Sequence, residues 1–244
     1  MRTYVLGVGF DDFSLEQAAQ HAYEMIYSGR KTYVVTPNPE IVWQSRKNEL
    51  LRIAINNAGL VLPDGIGIVL GARVLGTPLQ CGRVPGIDFI ALLLEKLSQS
   101  GGRIFLLGAK PGVAQTAGEN LIKQYPGLSS ICTADGYFTD SDAIVEQINE
   151  TKSDLLLVCL GAPKQEIWIS ENISRLNVPL CAGLGGSLDV FAGNVKRAPV
   201  FFQKHGLEWL YRIAKNPRRL KRSLSLPLFM LAVFFSKSAS RPPL

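Results

Sequence analysis

Four short segments of the 244-residue sequence set polar side chains where their flanks would alter their chemistry. In VLPDGIGIV, Asp64 lies between an apolar run and Gly65. A carboxylate fixed at a strand end and partly shielded from water can take a proton from a hydroxyl, and it can equally cap the helix that follows. In TPNPE, two prolines restrain Thr36 and Asn38 to extended backbone. The segment either makes a plain strand-to-helix turn or presents a hydroxyl and an amide to a polar ligand such as a sugar. In GAPKQE, Lys164 and Gln165 stand at a helix start, where a lysine opposes the helix dipole. A bound phosphate would remove that conflict and use the free backbone N–H groups, while an exposed lysine is the plain alternative. In GLGGSLD, Gly185 and Gly186 allow backbone to approach a nucleotide closely. Asp189 of that segment is set either to meet a ribose hydroxyl or base, or to cap a helix.

Several other chemistries are disfavoured. Neither GLGGSLD nor GIGIVL at 65–70 completes G-x-G-x-x-G, and no G-x-x-x-x-G-K-[ST] occurs. This counts against a dinucleotide-dependent oxidoreductase and a P-loop enzyme. With His21 and His205 as the only histidines, neither a His-rich metal site nor a Ser-His-Asp triad is expected. Asp140-Ser141-Asp142 resembles the D-x-D that carries a metal in many nucleotide-sugar enzymes, but in a polar loop opening a helix it reads first as a cap. Cys81, Cys132, Cys159 and Cys181 are far apart and form no C-x-x-C, so they are expected to be reduced core thiols of a cytoplasmic protein.

The elements that must position these residues follow a repeated order. Short β-branched or apolar runs at 33–35, 60–62, 103–107, 130–133, 154–160 and 178–182 each lead into a loop containing Gly or Pro. Helical patterns follow over 66–75, 113–125, 142–150 and 166–176. This alternation predicts an α/β fold with a mostly parallel, Rossmann-like sheet and helices on both faces. RIFLLGA and LLLVCLG are apolar throughout, as strands buried on both faces should be. Ligands of such sheets bind beyond the carboxyl ends of the strands, where Thr36, Asn38, Asp64, Lys164, Gln165 and Asp189 would gather.

The formal charge of +6 is unevenly spread. Residues 1–195 carry 15 basic and 19 acidic residues, whereas residues 196–244 carry 11 basic residues and Glu208 as their only acid. A domain boundary is therefore expected near residue 195, with a catalytic α/β domain before it and a basic, membrane-associating appendage after it. The appendage reads as one or two short amphipathic helices broken by Pro199 and Pro217, then an apolar run over 224–235 interrupted by Pro227. That run is too short to span a bilayer, and the N-terminus lacks a signal peptide's apolar stretch. Basic, aromatic and apolar residues together indicate an interfacial membrane segment. Nucleic-acid binding by a non-catalytic α/β protein would explain the charge but not the apolar run.

Taken in order, TPNPE, PDGIGIV, GRVPGID at 82–88, FLLGAKPGV, LGAPKQEIWI, GGSLDVFAG, KRAP and GLEWLYR…PRRL resemble the WecG/TagA/CpsF family of bacterial glycosyltransferases across residues 4–222. The resemblance implies transfer of an N-acetylmannosamine-type sugar from a UDP donor to undecaprenyl-diphosphate-linked N-acetylglucosamine at the inner leaflet, with inversion. It implies no cofactor and no metal, the UDP-sugar being a substrate. It places the base on Asp64, donor-sugar contacts on Thr36 and Asn38, and a diphosphate contact on Arg83. Gln165 and Asp189 fall near the nucleotide, and Arg212, Arg219 and Arg222 reach over the site. The expected partners are the donor, the lipid-linked acceptor and an anionic membrane surface, with no nucleic acid; a homo-oligomer is compatible with this reading. The chain departs from the family pattern at Asp135, where many members have His before the Gly of G-Y-F.

Overall fold

The computed structural model describes residues 2–215 and 225–239. Its centre is the predicted sheet. Strands β3 (Thr32–Val35), β4 (Leu60–Val61), β5 (Arg103–Gly108), β6 (Ser130–Ala134), β7 (Leu155–Cys159) and β8 (Leu180–Gly183) form six strands in the order β4-β3-β8-β7-β5-β6. Every pairing among them is parallel. Alternate residues of each strand enter opposite cores, as the pleat requires. Phe105, Leu107, Leu156 and Val158 pack on one face, and Ile104, Leu106, Leu155 and Leu157 on the other.

Helices α1 (Leu15–Ile26), α5 (Gly86–Gln99), α6 (Val113–Gln124) and α9 (Ser187–Phe191) cover the second face. Helices α2 (Pro39–Ser45), α3 (Glu49–Asn56), α4 (Ile66–Leu75), α7 (Ser141–Glu150) and α8 (Lys164–Asn172) cover the first. A hairpin of β1 (Thr3–Val5) and β2 (Val8–Phe10) precedes them, turning at Leu6 and Gly7, both at positive φ. That two-residue turn matches the right-handed twist of the paired strands.

The C-terminal segment holds α10 (Val200–Lys204), α11 (Glu208–Lys215) and α12 (Ser225–Ala239). Pro227 does not interrupt the apolar run as its sequence suggests. It falls in the first turn of α12, where a backbone N–H has no partner to lose. Leu226, Phe229 and Val233, spaced three and four apart, form one face of α12 against α2 and α4. Gly67 and Gly71 make the room: a Cβ at Gly67 would come 2.7 Å from Pro39 and 2.8 Å from Leu226, and one at Gly71 would come 3.2 Å from the Phe229 ring. Phe229 and Val233 are fully buried in the core of the first face. Among the described residues, no helix is long and apolar enough to cross a membrane. The core-thiol expectation needs one correction. Cys159 and Cys181 are buried and Cys132 half-buried, but Cys81 is exposed because its segment runs over the surface before α5.

Candidate active site

Because the six strands run parallel, the loops after β4, β3, β8 and β7 emerge at one edge in that spatial order. They carry Asp64, then Thr36 and Asn38, then Gly185 and Gly186 with Asp189 just beyond, then Lys164 and Gln165. Backbone hydrogen bonds stitch these loops together. Asp64 N donates to the Pro37 carbonyl at 3.4 Å, and Val84 N donates to the Pro63 carbonyl at 2.9 Å. A Cβ at Gly86 would lie 2.9 Å from the Thr36 hydroxyl and 3.3 Å from Leu184, so the start of α5 packs closely on both Thr36 and the residue that follows β8.

The structure separates binding roles from capping roles. Gly65, at φ 98°, holds the cap position of α4, so Asp64 is not that helix's cap. Asp64 is half-buried at the end of β4, the setting a general base requires. Asn38 does cap α2: its Oδ1 accepts from Ile41 N at 3.0 Å, which leaves its Nδ2 for a ligand. Asp140 caps α7 through Asp142 N and Ala143 N, and Asp142 pairs with Arg175 at 2.8 Å. The D-x-D segment is thus engaged in structure. Asp189 lies in the first turn of α9, whose cap position is Gly186.

Gln165 works through the backbone. It is buried, and its Oε1 accepts from Gly185 N at 2.9 Å while its Nε2 donates to Glu166 at 2.8 Å. The acceptor on Glu166 fixes which end of the amide faces the glycine turn, so Gln165 holds Gly185 at its φ of 55°. Lys164 is exposed at the start of α8, with its ammonium 5.0 Å from the Phe138 ring centroid and 3.5 Å from the Gly136 carbonyl. Both contacts ease its conflict with the helix dipole.

Arg83 is drawn toward the C-terminal helices. It pairs with Glu208 of α11 at 3.2 Å and donates to the Gln203 carbonyl of α10. Glu208 also stands 3.6 Å from Arg197, whose guanidinium grips Asp88 at 2.5 and 3.1 Å. Gly206, in the turn between α10 and α11, rests on Ile66 of α4, where a Cβ would meet Ile66 at 2.9 Å. The two short helices therefore sit beside the Asp64 loop. Arg212 falls within α11, and Arg219 and Arg222 lie outside the described residues.

A family model for glycosyl transferases of the WecG/TagA/CpsF type matches residues 3–242. The chain belongs to the WecG/TagA/CpsF family of glycosyltransferases. Among its relatives is a Bacillus spizizenii protein, 38% identical over 211 residues, covering 86% of this chain and 82% of the relative. A Bacillus subtilis protein is 38% identical over 200 residues, covering 82% of this chain and 78% of the relative. A Staphylococcus aureus protein is 34% identical over 237 residues, covering 96% and 92% respectively. All three are named N-acetylglucosaminyldiphosphoundecaprenol N-acetyl-beta-D-mannosaminyltransferase.

Four further residues beside the candidate site of this glycosyltransferase were not singled out from the sequence: Glu166, Asp88, Arg197 and Glu208. Glu208 had a signal, being the only acid in residues 196–244. Glu166 had none beyond its place in GAPKQE. It is 1% exposed with Oε2 lacking a hydrogen bond, and burial pushes its carboxyl above the usual range. A raised folded-state pKa means stability is fullest below the unfolded value of about 4.3 and is lost as pH rises through the folded value. Urea titrations between acid and neutral pH should therefore show wild type losing stability relative to Glu166→Gln, by up to about 1.4 kcal/mol per pH unit in that window. Parallel pH profiles for the two proteins would contradict this.

Proposed function

We propose that this glycosyltransferase moves an N-acetylmannosamine-type sugar from a UDP donor to a polyprenyl-diphosphate-linked N-acetylglucosamine, inverting the anomeric centre without a metal. The carrying observation is the meeting of Asp64, Thr36 and Asn38 at one sheet edge, beside α10 and α11, in a family whose relatives are named for that transfer.

Asp64 takes the proton of the acceptor 4-hydroxyl as its oxygen attacks the anomeric carbon from the face opposite UDP. The bond from that carbon to the phosphate oxygen breaks, and UDP leaves carrying the negative charge. Cations positioned for that charge stabilise it as it develops. Arg83 fills this role with Arg212, Arg219 and Arg222. The Thr36 hydroxyl and the Asn38 amide orient the donor sugar. The turn of Gly185 and Gly186, held by Gln165 and flanked by Asp189 and Lys164, receives the nucleotide.

A lipid-linked acceptor also explains α12. While one face is in the core, Leu228, Leu231, Phe234 and Phe235 point outward with exposures of 45–68%. An outward apolar face next to a basic stretch suits a peripheral position on an anionic inner leaflet, where each nearby basic residue contributes about 1 kcal/mol. Nucleic-acid binding would leave that apolar face without a role.

The test is incubation with a panel of UDP-N-acetylhexosamines and a short-chain prenyl-diphosphate N-acetylglucosamine, with and without EDTA. UDP release is expected with the manno-configured donor alone and undiminished by EDTA. Release from no donor would refute the reading, and release abolished by EDTA would refute its metal-free form.

A further inference from the structure

We infer that Glu208 is a displaceable internal anion: it occupies Arg83 when no donor is bound, and its transfer to Arg197 couples donor binding to the seating of α11. The inference rests on the reading of Arg83 as a diphosphate contact.

Four charged side chains meet here, Arg83 and Asp88 from the segment 82–88 and Arg197 and Glu208 from the C-terminal part of the chain. Glu208 Oε2 lies 3.2 Å from Arg83, and Glu208 Oε1 lies 3.6 Å from Arg197. The side chains of Glu208 and Arg83 are only 15% and 18% exposed, so solvent screens their attraction little. Asp88 grips both terminal nitrogens of Arg197, which fixes that guanidinium in place. Two polar atoms of the cluster, Glu208 Oε1 and Arg197 Nε, are buried and lack a hydrogen bond, although Oε1 is already within ion-pair range of Arg197. A buried charged group with an unmade hydrogen bond is costly. The carboxylate is thus tied to Arg83 by one oxygen, while its other oxygen and a neighbouring N–H have no hydrogen bond.

A donor diphosphate carries more charge and more acceptor oxygens than one carboxylate, and it competes for the same Arg83 fork. When Arg83 turns to the diphosphate, Glu208 turns to the Arg197 Nε that lacks a hydrogen bond. The start of α11 then loses its tie to Arg83 but keeps one to the body through Arg197 and Asp88. Glu208 acts through Arg83 and is a positioning residue.

The experiment measures UDP affinity calorimetrically for full-length wild type, Glu208→Gln and Arg83→Ala. Removing the competing charge should make Glu208→Gln bind UDP about five-fold or more tightly, a gain that a merely structural role would not produce. Arg83→Ala should weaken binding. Weaker binding by Arg83→Ala with unchanged or weaker binding by Glu208→Gln overturns the inference and leaves the diphosphate reading standing. Unchanged binding by Arg83→Ala overturns both. Should Glu208→Gln fail to fold, amide exchange of wild type decides: saturating UDP should speed exchange in the first turn of α11, and unchanged or slower exchange there would contradict the latch.

Discussion

Asp64→Asn should lower turnover by about 100- to 10,000-fold while UDP binding stays near wild type. Asn matches the shape of Asp but cannot accept the acceptor's proton, so the loss falls on the chemical step. Gly65, not Asp64, occupies the cap position of α4, so the helix start does not depend on the carboxylate for its cap. The loop is also held by the Asp64 N–H on the Pro37 carbonyl and by the Val84 N–H on the Pro63 carbonyl, which the substitution leaves alone. Steady-state assay with calorimetry separates the outcomes. Wild-type turnover in the variant would remove Asp64 from the mechanism, and a matching loss of UDP affinity would make it a binding residue instead.

Phe229→Ala should destabilise the protein by about 3–5 kcal/mol, the usual cost of emptying a fully buried aromatic site. At about 2–4 °C per kcal/mol for a chain of this size, the melting temperature should fall by about 6–20 °C. Phe229 is fully buried and lies against Gly71 of α4, in the core of a sheet face. Six residues on, Phe235 is 68% exposed. Phe235→Ala should shift stability by no more than about 0.5 kcal/mol. Differential scanning calorimetry on the pair distinguishes a docked helix from a loosely attached one. Equal melting temperatures for Phe229→Ala and wild type would mean that α12 contributes nothing to the core.

How much the sequence carried depended on how local each feature is. The parallel sheet was legible because RIFLLGA and LLLVCLG are apolar on both faces of their strands. The placement of Asp64 and TPNPE at strand ends was legible because Pro and Gly beside a strand end leave few conformations. The hairpin at Leu6 was not, since a non-glycine residue at positive φ gives no turn signal. Helix α5 was hidden behind its own start, where GRVPGID reads as a binding motif before it reads as a helix. The continuity of α12 was masked by Pro227, whose effect depends on whether it falls in a first turn or an interior one. The ionic cluster was the least legible of all. Arg83 meets Glu208 across 125 residues, and Arg197 meets Asp88 across 109, so neither pair leaves a spacing to read. Gln165 shows the intermediate case: its motif singled it out, but only the fold reveals that its side chain holds Gly185.

Asp64 as a base in a single displacement fixes the stereochemistry of the product, and that is the most direct measurement. The one-bond carbon–proton coupling at the new anomeric centre should be read by NMR on product made from an α-linked UDP-N-acetylmannosamine donor and a short-chain lipid-linked N-acetylglucosamine. A β-linked disaccharide is the predicted result. An α-linked product would require a double displacement or front-face attack, and would contradict the mechanism built on Asp64.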